Sequence, residues 1–317
     1  MNQVPSVTTF VAPSPAQATQ VQRDRWGRPL IIPPGGGKPV AYRRVTRFIE
    51  VLDDRWQLER WKQRQVAAGM GLRNDLVVKA ASANGDRGIL EEVVDAAMEA
   101  AGSSAAATTG TAVHRLAEHI DAGIDVPVPE PHRADIDAYR QATSGMSMVD
   151  IECFVVNDEL QTGGTFDRLV EIGGHRFIAD LKTGSTLEHN VGQIEMQLAI
   201  YARSLRYDPS NGARSALDVN TDWGLVIHLP AGQGRCEIWW ANLADGWASV
   251  NIARQVWAWR SRRRRFARPY VPLADRVAQA TSVDQLHQLW LQHADQWTDE
   301  LTALAAARKQ KLLTHSG

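Results

Sequence analysis

The chain has 317 residues, 44% apolar and 22% charged, enough to bury at least one full core with a smaller appendage beside it. Lysine and arginine total 35 against 36 for aspartate and glutamate, so overall charge points to no polyanionic partner. No apolar run reaches about 18 residues, which excludes a membrane-spanning helix, and two cysteines, Cys153 and Cys236, exclude a disulfide framework, a four-thiolate zinc site and a four-cysteine iron–sulfur cluster.

Residues 1 to 41 hold seven of the 14 prolines and the triplet Gly35-Gly36-Gly37, and read as a mostly extended or disordered tail. Its first 20 residues carry neither a basic start nor an apolar stretch, so no secretory signal and a cytoplasmic protein are expected. From about Arg44 to Gly69, Val45, Phe48, Ile49, Leu52, Trp56 and Leu58 recur at helical spacing, with Gly69 and Gly71 as stops. A second helix covers roughly Asp86 to Ala101. Gly102 to Thr109 reads as a flexible connector, and a helix from Gly110-Thr111 to Gly123 carries His114 and Glu118 on one face. After a short helix to about Thr143 the period becomes extended, with strands at Val149–Val156, Thr165–Ile172 and Arg176–Lys182, the last two joined by the hairpin signal Gly173-Gly174. A long helix from Glu188 to Tyr207, strands at Trp223–Leu229 and Gly234–Trp240, and a helix from Ala244 to Phe266 follow. Beyond Pro269 and Pro272 the pattern is purely helical, with a capping box at Ser282 to Gln285.

The hairpin carries the chemistry. Asp180 and Lys182 stand two apart on one strand and leave the same face, while Leu181 points into apolar packing. Folding about 173.5, the midpoint of 167 and 180, brings Asp167 near Asp180. Two facing carboxylates repel unless a cation lies between them, and such oxygens suit a hard divalent ion. The competing reading is a surface Asp180–Lys182 ion pair, with Asp167 paired to Arg168 or Arg176. Gln193, Gln197 and Tyr201 form a polar stripe on the long helix; Glu118 and Glu152 read as structural, or as groups behind the ligands. A run with no acidic residue between Gly246 and Ala274 holds six arginines from Arg260 to Arg268. It is either a helix end favoured by the dipole or a phosphate-binding patch centred on Arg262, Arg263, Arg264 and Arg265.

Four motifs, Gly110-Thr-Ala-Val-His114, Gly164-Thr-Phe-Asp167, Asp180-Leu-Lys-Thr183 and Gln197-Leu-Ala-Ile-Tyr201, occur in the order and spacing of the RecB-like exonuclease branch of the PD-(D/E)xK nucleases. The sequence resembles that branch over residues 110 to 230, and more loosely from 44 to 268, in the form encoded by actinobacterial phages. The resemblance implies an α/β fold: a mixed central sheet flanked by helices, of restriction-endonuclease type, with N-terminal helices and a helical C-terminal extension. It implies a nuclease domain at 42–270 and an extension at 271–317. It further implies Mg2+ or Mn2+ held by His114, Asp167, Asp180 and the Leu181 carbonyl, with Lys182, Gln197 and Tyr201 also catalytic and Thr183 on DNA. The branch's iron–sulfur cysteines are missing, so no cluster is expected. The activity implied is metal-dependent DNA exonuclease action in recombination or end processing, in the host cytoplasm if phage-encoded. DNA is the main partner, a single-strand annealing or recombination protein is a candidate second one, and no membrane is expected. A non-catalytic DNA-end-binding module and a structure-specific endonuclease are the alternatives.

Overall fold

The computed structural model describes residues 21–103, 105–188, 190–266 and 270–314. Strands β1 (Leu30–Ile31) and β2 (Val40–Ala41) pair antiparallel. Ile31 is fully buried with Tyr42, Val156 and Tyr207. The Ile32 amide donates to the Tyr207 hydroxyl at 3.0 Å, and the Ile32 carbonyl accepts from Arg214 at 2.7 Å. The tail expected to reach residue 41 is thus corrected for residues 21–41: the prolines shape a turn, and Ile31 before it is buried.

A two-residue strand, β3 (Arg43–Arg44), leads into α1 (Val45–Ile49). The single helix expected over 44–69 is broken, and α2 (Trp56–Leu72) starts afresh. The break falls at Asp53-Asp54-Arg55, where the Asp54 carboxylate accepts from the Trp56 amide at 3.0 Å. Short acidic side chains offer the backbone this alternative to the helix ladder. Helix α3 (Asn74–Ser82) was not expected, whereas α4 (Arg87–Ala100) was, and Asp86 caps it by accepting from the Ile89 amide. Gly69 is no stop: a Cβ there would lie 1.8 Å from the Ala97 carbonyl oxygen, so it is the point of closest approach of α2 and α4. Gly69→Ala must push the two backbones apart, and a loss of about 1–3 kcal/mol is expected in denaturant melts.

Helix α5 (Ala105–Asp121) begins five residues before the expected Gly110, because Ala105-Ala-Ala107 is strongly helix-forming and extends the helix into the presumed connector. After α6 (Arg133–Thr143) come the long strands β4 (Ser147–Asn157), β5 (Thr162–Ile172) and β6 (His175–Lys182). Arg168 pairs with Ala179 and Ile172 with His175, the register expected from the Gly173-Gly174 turn, whose φ values are +58° and +80°. Helix α7 (Val191–Ala202) stops short of Tyr207, since Leu205–Tyr207 leaves it as β7 to pair with Val155 and Val156 of β4. Strands β8 (Arg214–Ser215), β9 (Trp223–His228) and β10 (Glu237–Asn242) precede α8 (Leu243–Phe266). Among the described residues the main sheet is eight-stranded and mixed, ordered β10-β9-β6-β5-β4-β7-β8, with β3 parallel to β5. One apolar layer joins it to α7 through Ile178, Val226 and Leu198; another joins it to α5 and α6 through Leu181, Val113 and Tyr139. The α/β class is as expected.

The chain divides into two compact units between Ala258 and Trp259, inside α8 and before the expected boundary at 270/271. The second unit contains α9 (Leu273–Ala278), α10 (Val283–Gln292) and α11 (Asp299–Thr314) around Val277, Ala280, Leu286 and Leu289. Its capping box is open: Ser282 Oγ accepts from the Gln285 amide at 3.1 Å, but Gln285 reaches back to the Thr281 amide. Among the described residues no helix is long and apolar enough to cross a membrane.

Candidate functional site

The site forms where two strands part. The β5–β6 ladder ends at Arg168 and Ala179, and β6 then runs on beside β9, with Asp180 next to Val226, Leu181 next to Ile227 and Lys182 next to His228. In the opening, Asp167 Oδ2 accepts the Leu181 amide at 2.8 Å, bridging the strands by a side chain. The end of β6 is pinned on its other side, its Lys182 carbonyl accepting from the Leu229 amide at 2.9 Å. Lys182 Nζ lies 2.6 Å from Asp180 Oδ2, off the line of a hydrogen bond, so that buried oxygen has a charge beside it and no aligned donor. Asp180 is only 2% exposed, so the pair is not the surface ion pair of the competing reading. Burial, then the charge of Asp167, pushes the Asp180 carboxyl well above its ordinary range, and burial raises Asp167 as well.

His114 comes from α5. Its Nε2 lies 3.1 Å from Glu118, 3.3 Å from Glu152 and 3.8 Å from Asp167. Burial works against the imidazolium, but the bonds to Glu118 and Glu152 and the charge of Asp167 outweigh it and push His114 up to about 10. Glu152, read from sequence as structural, is brought into the cluster: ligand atoms of His114, Glu152 and Asp167 lie within 4.8 Å of one another. That triad does not include Asp180. The register explains Glu152, because Ile151 pairs with Arg168 and Cys153 with Phe166, leaving Glu152 opposite Asp167. A row Glu152–Asp167–Asp180 therefore crosses β4, β5 and β6. Extending the midpoint rule to the β4–β5 hairpin was the available signal, but the β4–β5 turn carries no glycine pair to mark its centre. Glu152 also sits at φ +52°, in the left-handed region that costs a residue with a Cβ about 1–2 kcal/mol.

Arg168 is fully buried and turns away from the Asp167 pairing of the competing reading. Its Nε donates to Asp121 Oδ2 at 2.6 Å, and the Tyr139 hydroxyl donates to the same oxygen at 2.6 Å. Arg168 Nη1 reaches 3.5 Å from His114 Nε2. His114 and Asp121 are two turns apart on α5, so this one guanidinium holds that helix against β5 behind His114. Arg176 pairs instead with Glu171.

On α7, Gln197 donates to the buried Tyr201 hydroxyl at 3.4 Å, and Tyr201 packs against Phe166. Burial raises the Tyr201 phenol far above its usual value, with Asp180 and Asp167 adding to the rise. Gln193 turns away to bond Asp53. Thr183 and Gly110 line an open cavity of about 820 Å3 with His114, Arg115 and Glu118. A Cβ at Gly110 would lie 2.5 Å from Thr183 Oγ1, so glycine lets α5 approach the end of β6. Arg262 is exposed on α8 in the second unit, while the side chains of Arg263, Arg264 and Arg265 lie outside the described residues.

The oxygen and nitrogen donors of the cluster are of the kind that could hold a metal ion. Two carboxylates and one imidazole, from Glu152, Asp167 and His114, come close enough to hold a metal ion together, and beside them one oxygen of Asp180 is buried without an aligned donor. No protein-family model matches the sequence, and no curated protein matches it.

Proposed function

We propose that this chain is a divalent-metal-dependent DNA exonuclease acting in recombination or end processing. The observation that carries the reading is the meeting of Asp167, Asp180 and Lys182 where β5 and β6 part, with Asp180 buried and its Oδ2 lacking an aligned donor. The four-motif resemblance to RecB-like nucleases supports it. When bound by Asp167, Asp180, His114 and the Leu181 carbonyl, a divalent cation would supply Lewis acidity and ease proton loss from water. Lys182, with its side chain 31% exposed at the edge of the pair, presents a positive charge to an incoming phosphate and offsets charge developing there. Glu152 and Glu118 hold the imidazole of His114 in place, and Asp167 keeps the strands at a fixed gap through the Leu181 amide. Gln197 and Tyr201 shape the inner wall, and Thr183 faces the open cavity where DNA would enter.

The deciding experiment incubates the protein with end-labelled linear DNA and with covalently closed circles, with and without Mg2+ or Mn2+. Metal-dependent loss of linear DNA with intact circles is expected. Cutting of circles would assign an endonuclease instead, and end binding without cleavage a non-catalytic partner. Lys182→Ala should keep metal binding, because no ligand is removed, while turnover falls by orders of magnitude. Calorimetric metal titration beside single-turnover kinetics checks this; joint loss of both would make Lys182 structural.

A further inference from the structure

A second cavity, of about 320 Å3, opens beside the end of β6. Val226 and His228 of β9 form its floor, Val191 and Ile194 of α7 its wall, and Ser185 and Trp239 its rim. Ser185 also lines the larger cavity in front of His114, so the two meet at that residue.

Strand register locates this cavity relative to the carboxylates. Asp180 is the neighbour of Val226, and Val226 is the partner of Trp239. Partnered residues in a ladder share a face, so Asp180, Val226 and Trp239 form one row across three strands. The Trp239 Cα is then two strand spacings, about 10 Å, from that of Asp180. The indole is 52% exposed. Its Nε1–H donates to Glu237 at 3.2 Å, and Glu237 is paired with Arg235 at 3.1 Å. The ring is therefore oriented, and Arg235 offsets the charge of Glu237, while Glu188 and Glu195 also line the cavity.

Such a cavity holds one flat apolar group, not a duplex. About 10 Å is roughly three stacked nucleotide steps of 3.4 Å, and fewer along an unstacked strand. Bases inside a duplex are covered on both faces by their neighbours, whereas an unpaired base can lay its ring on an indole. The apolar side chains of Val226, Val191 and Ile194 match the ring, and the Ser185 and Thr186 hydroxyls can meet its polar edge. We infer that this cavity takes an unpaired nucleobase of the strand lying in the metal site, stacked on Trp239. The inference rests on the nuclease reading and specifies its substrate as DNA with a single-stranded or frayed end.

The test is equilibrium binding of short single-stranded oligonucleotides in EDTA, with one abasic site moved position by position. For the wild type, one position should weaken binding by about 5- to 150-fold, the range for one base–aromatic stack. Trp239→Ala should weaken the intact oligonucleotide by the same factor and make that position silent, while Trp239→Phe keeps most of the affinity. Additive losses, or wild-type binding by Trp239→Ala, would overturn the inference. So would a smaller assembly for that variant with DNA binding unchanged, which would make the indole a protein contact. If the wild type neither binds nor cuts DNA, the nuclease reading fails and this inference with it; if it cuts DNA but no abasic position couples to Trp239, this inference alone fails.

Discussion

Asp180→Asn is expected to abolish metal-dependent cleavage while leaving the protein as stable as the wild type, or more so, without metal. Two nearby carboxylates, Asp180 buried and Asp167 half-buried, disfavour each other's charge, which is why burial and Asp167 hold the Asp180 carboxyl above its ordinary range. Asparagine keeps the volume and removes one charge, so the metal-free protein loses a repulsion. The same change takes away the proposed ligand, one of whose oxygens has no aligned donor. Opposite signs in the two measurements are therefore the signature of a metal site. Thermal melting in EDTA and cleavage of labelled linear DNA with Mn2+ read them separately. A folded variant that still cuts DNA at the wild-type rate would dismiss the assignment.

Arg168→Met should be the most damaging single change to stability, costing about 3–5 kcal/mol, because it leaves Asp121 buried and ionised without its partner. Methionine approximates the volume, which leaves the lost charge as the main cause. Burial already raises the Asp121 carboxyl, and the arginine opposes that rise. Without the arginine the folded-state pKa climbs further above the unfolded one. A carboxyl raised on folding binds its proton more tightly in the native state, so the deficit is greatest above the folded pKa and shrinks as pH falls through it. Urea melts across a pH series check this. Adding Asp121→Asn should recover part of the loss, since removing both charges costs less than stranding one. Equal deficits at all pH values would mean that lost packing, not the stranded charge, is responsible.

The long strands of the sheet and the nearness of Asp167 to Asp180 were legible in the sequence, because period-two alternation and a Gly-Gly turn set the register by arithmetic alone. His114 was legible through the residues around it on α5. Glu152 was not: it lies on a strand whose hairpin partner is reached through a turn with no glycine pair. The partner of Arg168 was not legible: the competing reading offered Asp167 by adjacency, whereas neighbouring residues of a strand point to opposite faces and Arg168 finds Asp121 on a helix. The break at Asp53-Asp54 and the early start at Ala105 show local side-chain chemistry and intrinsic propensity overriding the apolar period. The folding of residues 21–41 followed from a few buried contacts, Ile31 foremost, that composition averages away.

The left-handed backbone at Glu152 sets stability against activity at one position. Glycine adopts that conformation freely, so a library screened for heat resistance alone would favour glycine there. Each such gain would delete the carboxylate that holds the imidazole. Thermostable variants of this protein should therefore be selected with residue 152 of β4 left untouched, or under a screen that also demands the proposed turnover.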